Sequence, residues 1–216
     1  PILTNNFLGR GDRSGTVNHA TELASVIVGQ ATQKTPAGLA RGAQLFAAEA
    51  FMRKNGRNVA SLEHLAASLD WMVSMRVPLV NMSLAGPQNK TLTDVVSMVA
   101  KRGVILVAST GNDGRKVAYP AADPNVIAVT AVDAAGHLFR KANRGPQVDF
   151  AAPGVDILVP KKRGKAFRSG TSYSAAIATG IIAHELARGG MARSALVKRL
   201  RSHTTDLGPK GKDAQF

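Results

Sequence analysis

Val104-Ile105-Leu106-Val107-Ala108-Ser109 runs directly into Thr110-Gly111-Asn112-Asp113-Gly114, and the reading of the whole chain turns on this passage. A short, nearly unbroken apolar run without alternation has the character of a strand buried on both faces, and the Gly-, Asn- and Asp-rich stretch after it is turn chemistry. Runs of the same kind stand at Ala43–Ala48, Leu79–Leu84 and Val126–Val132. Between and after them lie helix-length segments at Thr21–Val28, Val59–Met75, Thr91–Lys101, Tyr173–Ala187 and Met191–Arg201. Leu62, Leu65, Ala66, Leu69 and Met72 recur at three- and four-residue spacing, giving the second of these one apolar stripe. Alternating strands and helices of this kind predict an α/β fold with a mostly parallel sheet covered by helices. In open α/β sheets ligands bind beyond the carboxyl ends of the strands, so the loop at 110–114 is a predicted site.

The composition agrees with a packed domain. The chain has 216 residues, 44% of them apolar and 19% charged, without a break that would divide it, so residues 1–216 are expected to form one domain. The absence of cysteine rules out disulfides and thiolate metal sites. No run of 18 apolar residues occurs, so no membrane span is expected in this chain, and PILTNNFLGR lacks the pattern of a signal peptide. Lys and Arg number 28 against 14 Asp and Glu, a net charge of +14 that favours anionic partners through the long-range field. The basic residues gather at Lys161, Lys162, Arg163, Lys165 and Arg168, and again at Lys198, Arg199 and Arg201. A solvated face is the simpler reading of both clusters. Aromatic residues are 5% of the chain, so the stacking groups of a nucleic-acid module are scarce and no nucleic-acid partner is expected. His64, His137, His184 and His203 show no metal-ligand spacing, and no metal site is predicted.

Three short stretches could carry chemistry. Ser172, in Ser169-Gly170-Thr171-Ser172-Tyr173-Ser174, stands where a Gly-Thr-Ser turn enters a helical pattern. Free N–H groups and the positive end of the helix dipole gather there, which suits a serine nucleophile and a developing oxyanion. Ordinary N-capping by Ser or Thr is the plainer alternative. His19, in His19-Ala20-Thr21-Glu22-Leu23-Ala24, lies just ahead of a predicted helix and could serve as general base, or could be a surface histidine. Asn112 could donate its side-chain N–H to an oxyanion, or simply help to turn the chain.

Taken in order, these stretches resemble the subtilisin-like serine proteases. His19–Ala24 is similar to that family's His-Gly-Thr-x-Val-Ala block, and Asn81-Met82-Ser83-Leu84-Ala85-Gly86 to the segment that pairs with substrate backbone. Ala108–Gly114 resembles the Ala-Ala-Gly-Asn block, and Gly170-Thr171-Ser172-Tyr173-Ser174-Ala175 the nucleophile block. Tyr119-Pro120-Ala121, Val126–Asp133 and Val148–Gly154 fall in the same order as the family's remaining motifs. The resemblance implies a three-layer fold with helices on both faces of the sheet. It implies a serine endopeptidase with His19 as base, Ser172 as nucleophile and Asn112 in the oxyanion hole. Extended protein or peptide substrates would pair beside Ser83, Leu84 and Ala85 and the Thr110-Gly111 side of a cleft. It also implies secretion or a periplasmic location, and it allows calcium, although no all-oxygen ligand loop is visible and no cofactor is assigned. Oligomeric state is not legible.

The chain departs from the family in three places. Ala20 stands where Gly is usual, and Ala175 or Ala176 where Pro commonly follows the nucleophile. The family's acid, at the end of a first core strand, has no counterpart before His19, since Asp12 in Gly11-Asp12-Arg13 lacks an apolar strand ahead of it. Pro1-Ile2-Leu3 resembles the segment that follows that strand, and Asp213-Ala214-Gln215-Phe216 the point before a closing segment, so both ends are expected to be clipped. Without an acid the imidazolium goes unsupported, at a cost on the order of 10⁴-fold in triads of this kind, a figure carried over from other serine proteases. An Asp upstream of residue 1 would complete an enzyme. Without it the chain would be a catalytically impaired pseudoprotease or peptide-binding module.

Overall fold

The structure is a computed structural model, and it describes residues 1–9, 11, 12, 14, 15, 17–33 and 35–207. Its centre is a parallel sheet of β5 (Leu79–Met82), β6 (Ile105–Ser109), β7 (Val126–Val132) and β8 (Phe150–Pro153), paired in that order. Every residue of β6 and β7 is buried, as their unbroken apolar runs predict. Successive side chains point to opposite faces, so each strand serves two cores. Leu106, Ala108, Val126 and Ala128, with Val80 and Met82 of β5, meet Leu69 and Met72 of α2 (Leu62–Ser74) and Leu92, Val96 and Val99 of α3 (Lys90–Lys101). On the other face Ile105, Val107, Ile127 and Val129 pack with Ala175 and Ile182 of α4 (Thr171–Ala187) and Leu196 of α5 (Arg193–Arg201). A further apolar cluster joins Leu23 and Ile27 of α1 (Val17–Val28) to Tyr173 and Ala176 of α4. The result is the expected α/β arrangement of three layers.

Several boundaries differ from the sequence reading, each for a local reason. The second helix begins at Leu62 instead of Val59 because Ser61 caps it, accepting a hydrogen bond from the His64 amide at 3.1 Å. Val59 belongs instead to β4 (Arg57–Val59), which forms a hairpin with β3 (Met52–Lys54). The turn between them, Asn55-Gly56, has φ of 48° and 75°, the two left-handed residues of a type I′ turn. The third helix starts at Lys90 after the Asn89 cap, and the fifth starts at Arg193 rather than Met191. β2 (Leu45–Glu49) sits two residues later than expected at its start. It pairs in parallel with β1 (Ile2–Asn6), an exposed polar strand that the sequence did not reveal. β9 (Ile157–Pro160) and β10 (Lys165–Arg168) form an antiparallel hairpin whose turn carries Lys161, Lys162 and Arg163 in solvent. The proposed closing point at Asp213–Phe216 lies outside the described residues. Among the described residues no helix is long and apolar enough to cross a membrane.

Leu106 is wholly buried between the sheet and the α2/α3 layer. Leu106→Ala should lower the unfolding free energy by about 2–5 kcal/mol. Met98→Ala, at a position 50% exposed on α3, should change it by less than about 0.5 kcal/mol; chemical denaturation of both variants checks the pair.

Candidate active site

Because β5, β6 and β7 are parallel, the segments that follow them emerge on one edge of the sheet. Ser83, Leu84 and Ala85 continue from β5, and Thr110, Gly111 and Asn112 continue from β6. The amino end of α4 is held against both segments. The Thr171 amide donates to Asn112 Oδ1 at 2.9 Å, the Gly111 amide donates to Thr171 Oγ1 at 3.2 Å, and Ser83 Oγ donates to the Ser172 carbonyl at 3.0 Å. Ser83 is itself held by Asn81 Nδ2 at 2.9 Å, and Asn81 Oδ1 accepts from Thr179 Oγ1 of α4 at 3.1 Å. Gly154, beyond β8, closes the other side by accepting the Gly170 amide at 2.8 Å. A side chain on Gly154 would collide with Ser174 Oγ and Ala131, so only glycine lets these segments approach.

The N-cap of α4 is Gly170, which has no side chain to satisfy the orphan amides of the first turn. Ser172 is therefore a residue of the first turn and not a capping serine. Asn112 Oδ1 takes the Thr171 amide, the Ser172 amide follows in the same first turn, and Asn112 itself is exposed. Asn112 and the Ser172 amide thus lie together at the amino end of α4, the positive pole of the helix.

The backbone amides of Thr110 and Gly111 are both spent inside the fold, on the Val129 carbonyl at 3.2 Å and on Thr171 Oγ1. Their carbonyls accept from Ala118 and Asn143 at 3.0 Å each. The amides of Thr110 and Gly111 thus offer no donor, and pairing on that side would fall to the second lone pairs of their carbonyls. Ser83–Ala85, which lie past the end of β5, remain the available edge.

Sequence reasoning missed Asn143, which shapes this loop. It is 2% exposed, and its Oδ1 accepts the amides of Asp113 and Arg115, each at 3.1 Å. A Cβ on Gly111, where φ is 107°, would strike the Asn143 amide group. An isolated Asn 31 residues beyond Asn112 carries no local signal.

His19 lies in the first turn of α1, within the helix and not ahead of it. Its ring meets Tyr173, the residue after Ser172, edge to face at a centroid distance of 5.6 Å. Nδ1 is 3.8 Å from Glu22 Oε2, and among the described residues no hydrogen bond joins His19 to Ser172. Such contacts are often open in ligand-free sites and close with substrate. Burial lowers the His19 pKa below its ordinary 6.5; Glu22 opposes that shift and Arg168 adds to it. Asp12 accepts the Gly9 amide at 3.1 Å in an exposed turn.

His19 also borders a cavity of about 840 Å³ between β2 and β5. Among the described residues these two strands are not paired with each other. Phe46, Ala48, Val80, Met82 and Leu69 give the cavity apolar walls. Among the described residues no group of three or more His, Asp or Glu side chains could hold a metal ion.

Ser172 in the first turn of α4, Asn112 bonded to the Thr171 amide and His19 against Tyr173 are brought together around the amino end of α4. The family profile described as "Subtilase family" matches residues 8–216, and the chain belongs to that family. It is 34% identical over 203 residues to the Minor extracellular protease Epr of Bacillus subtilis (strain 168), a match covering 92% of this chain and 31% of that protein. It is 32% identical to the Major intracellular serine protease of the same organism, covering 84% of this chain and 59% of that one. With Subtilisin E, also from that strain, identity is 30% across 88% of this chain and 51% of the relative. The chain thus spans between about a third and three fifths of the length of these relatives.

Asn143→Ala should cost about 1–2 kcal/mol of stability, because it strips the acceptor from two amides of the Asn112 loop. Hydrogen exchange at Asp113 and Arg115 should accelerate in the same variant.

Proposed function

We propose that the protein is a serine endopeptidase acting on extended protein or peptide chains. The observation that carries this reading is the bond from the Thr171 amide to Asn112 Oδ1, which sets Asn112 beside the Ser172 turn, so that Asn112 Nδ2 and the Ser172 amide could serve as paired donors. A peptide laid beside Ser83, Leu84 and Ala85 brings its carbonyl to Ser172 Oγ. Ser172 attacks the carbonyl carbon while His19 removes the hydroxyl proton, and the oxyanion is held by the two N–H groups. His19 then returns the proton to the leaving amine, and water, activated by His19, releases the acyl group from Ser172.

The proposal includes a Ser-His-Asp triad whose Asp comes from a segment upstream of residue 1. Support for it comes from the cavity between β2 and β5: two unpaired strand edges, apolar walls, and His19 on its rim. An apolar strand seated there could pair with both edges and carry a carboxylate toward the imidazole. Secretion belongs to the proposal too, supported by the extracellular relative, while the name of another relative places that protein inside the cell.

In an assay of the full-length protein on an unfolded protein substrate, Ser172→Ala should abolish hydrolysis and Asn112→Ala should lower kcat by about 10²- to 10³-fold, as for other single oxyanion donors. Hydrolysis surviving Ser172→Ala would refute the nucleophile. Peptide binding with no hydrolysis by the wild-type protein would favour a binding module instead. Burial lowers the His19 pKa in this chain, and the carboxylate of the triad Asp would oppose that shift, so replacing that Asp with Asn in the full-length protein should move the acid limb of kcat/KM to lower pH.

A further inference from the structure

Glu22 is a carboxylate that the proposed reaction does not use, and it is buried, with 6% of its surface exposed. It lies three residues after His19 on α1, which puts both on one helix face. Its Oε1 accepts from Arg168 Nε at 3.1 Å, at the end of β10. Its Oε2 accepts from the Tyr173 hydroxyl at 2.6 Å, on the first turn of α4, and faces His19 Nδ1 at 3.8 Å. Tyr173 in turn presents its ring to the imidazole in an edge contact.

A buried carboxylate is costly unless paired and hydrogen-bonded, and Arg168 and Tyr173 satisfy that need from two other elements. One lone-pair direction on Oε2 is left toward the imidazole. At 3.8 Å the contact is too long for a hydrogen bond and acts as a charge near Nδ1. A negative charge there favours a proton on Nδ1 in the neutral ring, keeping the Nε2 lone pair free. It also stabilises the imidazolium formed when Nε2 takes a proton.

We propose that Glu22 is a positioning residue for the base, biasing the His19 ring by its charge on the Nδ1 side and linking it to the Ser172 turn through Tyr173. The proposal rests on the reading of His19 as the base, and it holds wherever any further carboxylate comes from. Among the described residues the charged or titratable groups facing His19 are Glu22 on α1, Arg168 on β10 and Tyr173 on α4. β9, which also packs on α1, contributes Ile157, Leu158, Val159 and Pro160, none of which titrates. Among the described residues Glu22 is the negative member of this clamp, shared between a cation and a hydroxyl, and the triad Asp would add a second charge.

The test is an NMR titration of the His19 ring in the full chain, its resonance identified by its loss in His19→Gln. Glu22→Gln keeps the shape and removes the charge, so the midpoint should fall by roughly one pH unit. Tyr173→Phe removes the competing donor on Oε2, so the midpoint should rise. Mere loosening of the site would relieve burial and raise both midpoints. An unchanged or raised midpoint in Glu22→Gln overturns the proposal. If Glu22→Gln fails to fold, Tyr173→Phe decides, and a midpoint that stays or falls overturns it. A parallel measurement of fluorophosphonate labelling separates the two readings. Labelling of wild type that persists in Ser172→Ala sinks the hydrolase reading, while the titration still decides the role of Glu22. If labelling does depend on Ser172, it should slow about tenfold in Glu22→Gln and recover in part in Glu22→Asp.

Discussion

In a parallel ladder all carboxyl ends fall on the same edge, and the placement of Ser83, Asn112 and Ser172 follows from that constraint, while His19 is brought to them by α1. β5 and β6 deliver the Ser83 and Asn112 segments side by side, and β8 delivers Gly154 further along. α4 returns across the buried face and starts at this same edge. Its amino end is then joined to the loops by bonds that link residues 59, 60 and 89 apart in sequence. Shifting any one strand by a residue would exchange its two cores and break these bonds together.

The polar interior is economical in a similar way. Asn112 spends its acceptor on the fold, and in the proposed reaction its donor serves the oxyanion. Glu22 divides its oxygens between Arg168 and Tyr173 and still faces His19. The +14 net charge has no such focus. Lys161, Lys162 and Arg163 are solvated in a hairpin turn, while Arg193 and Arg201 hold Asp149 at 3.8 and 3.4 Å. Only Arg168 of the first basic cluster reaches the neighbourhood of the site.

Long apolar runs made β6, β7 and the helices legible in the sequence, because burial on both faces leaves a pattern within a single segment. The glycine-rich turns that open onto the site were legible for the same reason: Gly170-Thr171-Ser172 and Thr110-Gly111-Asn112 are local. β1 was not, since Ile2–Asn6 is exposed along its whole length and owes its form to pairing with β2. Asn55-Gly56 was a readable hairpin signal that the apolar pattern overshadowed. Glu22 was readable as a carboxylate at helical spacing from His19, but its burial depends on Arg168 and Tyr173, 146 and 151 residues away. Asn143 was hidden for the same reason. Partners at that distance leave no trace in local spacing.

The account stands on Ser172 being the group that the cleft activates. Mass spectrometry of the full-length protein after reaction with a fluorophosphonate, followed by peptide mapping, locates the adduct directly. The account predicts a single adduct on Ser172. An adduct on Ser174 or another serine would contradict it, and so would a protein that hydrolyses peptides while Ser172 remains unmodified and replaceable by alanine.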